Sequence, residues 1–351
     1  MTMMYYLKKA VERGASDLFF LAGKAVSVKI DGTIAPLDEG ASSLSADDTD
    51  RIIAEIFDYS GRARPTGNFV DDDFSFSVPA LARFRVSIYR QRGSMAAVIR
   101  IVSFDIPDYK KIGVPESVMG ISSLTSGMVL FTGTAGSGKS TTQACIIDRI
   151  NSNRSCHIIT LEDPIEYLHR HKKSIVSQRE ISVDVEDYSS ALRSSLRQSP
   201  DVILLGELRD AQTMYTAMTA AETGHLVIAT LHTKGVVNAI DRIIDFFPSS
   251  QQGQIRVQLS SVLNTVVSQQ LVPDKNGELL PAFELMYMNS AIKTLIRDNK
   301  NHQIDNVISS SASEGMISMD QYLRQMVSEG KITREIAFEY AADPEHLERM
   351  I

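Results

Sequence analysis

Residues Gly133-Thr134-Ala135-Gly136-Ser137-Gly138-Lys139-Ser140 decide the fold class of this chain. They satisfy G-x-x-x-x-G-K-[ST], the pattern of a loop that cradles phosphate. The apolar run Met128-Val129-Leu130-Phe131 before them suits a buried strand, and Thr141 to Ile147 continues as a helix. Strand, glycine turn and helix in that order aim backbone N–H groups and a helix N-terminus at one point, which favours an anion there. Gly133, Thr134, Ala135, Gly136, Ser137, Gly138, Lys139, Ser140 and Thr141 are therefore the expected contacts to ATP. Lys139 is expected to reach the β- and γ-phosphates, and the Ser140 hydroxyl to hold Mg²⁺.

Hydrolysis also needs a carboxylate to manage water and metal. Asp201-Val202-Ile203-Leu204-Leu205-Gly206-Glu207 puts Glu207 at the end of a buried strand, and ligands in open α/β sheets sit beyond the carboxyl ends of the strands. Glu207 can hold Mg²⁺ through water or polarise the attacking water. Thr160-Leu161-Glu162-Asp163-Pro164-Ile165-Glu166 places three more acids past a strand. Clustered carboxylates repel one another unless a cation sits among them, so Glu162 is a second candidate for Mg²⁺. Glu166 fits an acidic surface turn at Pro164 equally well. In Gly224 to Thr233, His232 ends a third strand, where it could sense the γ-phosphate, bond to Glu207 or be purely structural. Charge on a transferred phosphoryl group is commonly met by arginine, often from another subunit. The candidates are Arg197 and Arg209 beside the Glu207 strand, and Arg83 and Arg85, which share one face of an N-terminal strand. Each of these arginines taken alone also fits a solvated surface position.

The 351 residues suggest two domains, and 43% hydrophobic content is ordinary for a globular protein. With 43 acids against 36 bases the net charge is −7, which argues against a nucleic-acid coat or a polybasic membrane anchor. The two cysteines, Cys145 and Cys156, form no C-x-x-C pair and fit a reducing cytoplasm. Met1 to Lys9 lacks the apolar core of a signal peptide, and no run reaches the length of a membrane span. Residues 1–105 read as a small α+β domain, with a helix over 4–14 and strands over 18–21, 26–30, 73–78, 82–90 and 96–102. Asp31-Gly32 is a hairpin turn, and Ser45 caps a second helix. Residues 106–118, marked by proline, read as a linker. From 119 to 289 strands at 128–132, 157–161, 202–206 and 226–230 alternate with helices, and helices follow the last strand, which indicates an α/β fold with a mostly parallel sheet. Residues 290–351 read as helical, opened by an Asn289-Ser290 cap, with a capping box at Ser318 and Gln321 and a loop over Ser309–Ser313.

With those residues identified, the chain resembles the ATPases that power type II secretion, type IV secretion and type IV pili. Leu196 to Asp210 is similar to the family's Walker B signature, Thr160–Glu166 to its "Asp box", and Gly224-His225 through His232-Thr233 to its "His box". Within that superfamily it is most similar to type IV pilus retraction ATPases, through Gly14-Ala15-Ser16-Asp17-Leu18, Arg83-Phe84-Arg85-Val86 and Ala291-Ile292-Lys293-Thr294-Leu295-Ile296-Arg297. Lys293 and Thr294 replace the arginine and asparagine of the retraction motif, Thr134-Ala135 replaces Pro-Thr in the phosphate loop, and Phe19 stands where the family often has histidine. The resemblance implies a PAS-like N-terminal domain, a RecA-like ATPase domain and a homohexameric ring with ATP between neighbouring subunits. It implies a cytoplasmic motor, peripheral to the inner membrane. That motor would act on a membrane platform protein and through it on pilin, driving retraction and twitching motility. A pilus-assembly or secretion ATPase, including a Dot/Icm-like one, is the alternative. A nucleic-acid motor is a second, weakened by the acidic balance and the absence of tryptophan for base stacking, so no direct nucleic-acid contact is expected.

Overall fold

The computed structural model describes residues 2–30, 32–65, 71–102 and 104–351. The chain divides into two compact units, Met1–Asp105 and Ile106–Ile351. The first contains strands β1 (Asp17–Phe20), β2 (Ser27–Ile30), β3 (Thr33–Pro36), β4 (Asp71–Val78), β5 (Ala82–Gln91) and β6 (Ser94–Val102). They form one antiparallel sheet in the order β3-β2-β1-β6-β5-β4. In β5 the alternation is complete: Phe84, Val86 and Ile88 are buried, while Arg85 on the other face is exposed. Helices Met3–Glu12 and Ala46–Ser60 give Leu7, Ala10, Ile52, Ile53 and Ile56 to the core beneath. Ser45 and Asp48 cap the second helix reciprocally, an arrangement worth about 1 kcal/mol. The turn predicted at Asp31-Gly32 falls partly outside the described residues, since Asp31 is not among them; the flanking Ile30 and Thr33 are paired.

The second unit contains β7 (Gly127–Thr132), β8 (His157–Glu162), β9 (Ile175–Glu180), β10 (Val202–Leu205), β11 (Leu226–Leu231), β12 (Leu263–Pro273) and β13 (Leu279–Tyr287). Their order is β13-β12-β7-β11-β10-β8-β9, parallel throughout except for β13. The mostly parallel α/β sheet is as expected, but three of its strands depart from the sequence reading. β9 reads Ile-Val-Ser-Gln-Arg-Glu and has a neighbour on one side only, so it needs no continuous apolar run. β12 and β13 form a hairpin where helices were expected. In β12, Ser268 and Gln269 are polar yet 4% and 3% exposed, which breaks the periodicity of a core strand.

Segment 106–118, read as a linker, is placed in the second unit. Val114 and Val118 are buried in a cluster with Phe131 and Ile146, and the Pro107 carbonyl accepts a bond from Cys145 Sγ at 3.3 Å. Beyond 290, Ile292, Ile296, Ile304 and Ile308 join the same core as Met128 and Ile203. Asn289 accepts from the Ile292 amide at 3.0 Å, and Ser318 and Gln321 form their capping box. The Ser309–Ser313 loop is a correction: Ser309 and Ser310 complete the helix Ile304–Ser310, and Ala312–Glu314 form a single 3₁₀ turn.

Candidate active site

The phosphate loop leaves β7 and enters the helix Lys139–Asn153. Backbone conformation requires two of its glycines, and space requires the first. At Gly133, with φ +143°, a Cβ would lie 2.2 Å from the Gln269 carbonyl oxygen of β12. At Gly138, with φ +84°, it would lie 2.8 Å from Gln269 Nε2. The same Gln269 accepts a bond from Thr142 Oγ1 at 2.9 Å. The buried polar residue that hid β12 in the sequence thus clamps the loop from beneath. Gly138 caps the helix in a left-handed conformation without any side-chain acceptor, so the first-turn amides are left for an anion. Lys139 is buried and its ammonium donates to the carbonyls of Gly133 at 2.8 Å and Thr134 at 2.7 Å. Burial lowers its pKa, opposed by the Glu166 carboxylate.

Strand ends deliver the acids. Leu161 of β8 pairs with Leu205 of β10, so Glu162 and, one residue further along its strand, Glu207 emerge past the carboxyl edge of the sheet. Glu162 accepts from Thr160 Oγ1 at 2.6 Å and from Gln178 Nε2 at 3.2 Å. Desolvation nonetheless pushes its carboxyl up to about 7. Glu207 is 9% exposed. Arg209 forms an ion pair with its Oε1, and His232 Nε2 stands 3.7 Å from its Oε2. Arg209 also lies 3.8 Å from Asp163.

A cleft of about 430 Å³ is lined by Ala135 to Thr141 together with Glu162, Glu207 and His232. Gly133 and Thr134 fall outside that lining and serve as the carbonyl acceptors of Lys139. Arg209 reaches the cleft through Glu207. Arg197 is exposed, with its guanidinium donating to the Arg193 carbonyl at 3.3 Å. Arg83 and Arg85 lie on the outer face of β5 in the first unit, and Arg83 Nη1 donates to Ser77 Oγ at 3.2 Å.

The donor set suits Mg²⁺: a hydroxyl at Ser140 and the carboxyl of Glu162 face one cleft, and a carboxyl held near 7 by desolvation gains from a cation. Glu207 suits it less, because Arg209 already pairs with its Oε1. Sequence reasoning missed Tyr167, whose hydroxyl bonds Thr141 Oγ1 at 2.8 Å, and His169 and Tyr188, which line the same cleft. His169 is buried, its imidazole pushed down to about 4 by desolvation. Tyr167 directly follows the Thr160–Glu166 stretch and Tyr188 opens the helix Tyr188–Ser195, but no motif assigns any of the three side chains to a nucleotide cleft.

The profile of the family described as Type II/IV secretion system protein matches residues 2–337. The chain belongs to that family. It is 40% identical to the type IV pilus retraction ATPase PilT of Pseudomonas aeruginosa over 96% of this chain and 97% of that one. It is 38% identical to the type IV pilus ATPase PilU of the same organism, over 98% and 90% respectively. The solved structure of the pilus retraction motor PilT with bound ADP superposes with a TM-score of 0.87 at 42% identity, covering 100% of both chains. This member of the Type II/IV secretion system family is an ATPase with the two-domain fold of that motor. Among the described residues, no helix is long and apolar enough to cross a membrane.

Proposed function

We propose that the chain is a homohexameric motor whose ATP hydrolysis retracts a type IV pilus. The observation that carries this reading is whole-length similarity to a pilus retraction ATPase, coupled to a cleft where the phosphate loop, Glu162, Glu207 and His232 converge. In this reading the amides of Ala135 to Thr141 bind the phosphates of ATP. Lys139 leaves its carbonyl partners to meet the β- and γ-phosphates. Ser140 and Glu162 would hold Mg²⁺, whose charge would offset that of the phosphates. Glu207 accepts the proton of the attacking water. The water oxygen bonds to the γ-phosphorus as the β–γ bridging P–O bond breaks, and its electron pair stays with ADP. Arg209 offsets the charge on Glu207, and His232 lies beside its other oxygen. Arg83 and Arg85, from the first unit of a neighbouring subunit, supply positive charge to the transferred phosphoryl group. Arg197 is the weakest member of that set, since among the described residues its side chain bonds within its own helix end.

Movement between units 1–105 and 106–351 would transmit turnover to a membrane platform protein and thereby to pilin. The motor would act from the cytoplasm at the inner membrane. Cells carrying only Glu207→Gln should display excess, non-dynamic surface pili, while the purified variant binds ATP without turning it over. Bald cells would assign the motor to assembly instead, and wild-type ATPase activity in the variant would remove Glu207 from the chemistry.

A further inference from the structure

Tyr188 is the first residue of the helix Tyr188–Ser195, directly after its Asp187 cap. It is 8% exposed, and its ring belongs to the principal apolar core. A buried phenol normally finds a hydrogen-bond partner. Among the described residues the Tyr188 hydroxyl has none, and its electrostatic neighbours are Glu207, Asp163, Arg209 and Glu162. The hydroxyl sits in the wall of the cleft. A Cβ placed on Gly206, the residue before Glu207, would come within 2.8 Å of it. Glycine at 206 therefore makes room for the phenol oxygen beside the Glu207 backbone. Phenylalanine would fill the same core volume, so the hydroxyl is what Tyr188 adds to the cleft wall.

We propose that Tyr188 is a catalytic residue of ATP hydrolysis, its hydroxyl oxygen accepting one hydrogen of the attacking water while Glu207 accepts the other. Two acceptors at fixed positions turn a lone pair of the water toward the γ-phosphorus, which a single carboxylate does not achieve. The water proton passes to Glu207 as the new P–O bond forms and the β–γ bridging bond breaks. Tyr188 keeps its own proton throughout. Burial, reinforced by the carboxylates of Glu207 and Asp163, raises its pKa above that of a free phenol, so it remains neutral.

This inference rests on the ATPase reading, and one set of measurements separates the two. Full-length wild type, Glu207→Gln and Tyr188→Phe are compared for steady-state ATP turnover, for ADP affinity and for affinity toward ADP with aluminium fluoride, a mimic of the transferring phosphoryl group. For Tyr188→Phe, kcat should fall about tenfold, the effect of one lost hydrogen bond, with KM and ADP affinity held within about twofold. Affinity for the aluminium fluoride complex should fall in proportion to kcat. Wild-type kcat in Tyr188→Phe would overturn the proposal. So would an equal loss of ADP affinity, or a variant that fails to fold, because either would make the hydroxyl structural. A wild-type protein without ATPase activity, or Glu207→Gln at full rate, would instead overturn the ATPase reading itself.

Discussion

At Glu162 a carboxyl group is carried into a cleft whose walls desolvate it faster than Thr160 and Gln178 can compensate. The consequence is a pH dependence with a definite sign. Below pH 4.5, the ordinary value, Glu162 is protonated in both the folded and the unfolded chain. Between 4.5 and about 7 the unfolded chain releases a proton that the folded one retains. The contribution to stability is therefore full below 4.5 and is lost as the pH rises to about 7. Glu162→Gln should flatten part of that slope in nucleotide-free protein, and urea midpoints across the interval measure it. Part of the slope will remain, since the buried Glu284 also sits at about 7. An unaltered slope in Glu162→Gln would mean that its carboxyl ionises freely. Lys139 is the second test at this scale. Lys139→Ala should weaken ATP binding by roughly 10- to 100-fold, the range for hydrogen bonds to a charged group, as read by a fluorescent nucleotide. Undiminished binding would separate the loop from the nucleotide. The types and positions of these residues were readable because a strand of apolar residues followed by an acid is a local pattern. The walls that desolvate Glu162 and the bond from Gln178 were not, since they reach the site from other segments.

At the scale of elements, the phosphate loop depends on a strand that the local pattern conceals. β12 carries Gln269 under Gly133, and this contact links residues 136 positions apart in the chain. Gly133→Ala should abolish nucleotide binding and add roughly 1–3 kcal/mol of backbone strain, seen as a lowered melting temperature. A variant that binds ATP normally would show that the loop can move away from β12. Helix ends, by contrast, were legible. Ser318 and Gln321 cap each other as their spacing requires, and Ser318→Ala should cost about 1 kcal/mol in denaturant titration. No measurable change there would mean that the Asp320 carboxylate, which accepts the Ala342 amide at 2.7 Å and the Asp343 amide at 3.0 Å, holds this region by itself.

At the scale of the whole molecule, the role proposed for Arg85 in a neighbouring subunit's cleft is tested in mixed rings. If Arg85 acts across a subunit interface, Arg85→Ala and Glu207→Gln should each lack turnover alone. Mixed rings should then recover part of it, because some interfaces pair an intact Glu207 with an intact Arg85. The readout is ATPase rate against mixing ratio, with ring size checked by mass. A mixture no more active than its parents would remove Arg85 from the shared site. Much at the smaller scales followed from local order along the chain. The phosphate loop, the acids at strand ends, the alternation in β5 and the helix caps all depend on neighbours a few residues apart, which is the range over which side-chain periodicity and capping act. The β12–β13 hairpin, the edge strand β9, the clamp at Gln269 and the burial of Tyr188 against Gly206 came only with the folded structure. Each depends on contacts between distant segments, and where those contacts serve a polar loop or cleft the buried residues are themselves polar and leave no apolar pattern to read.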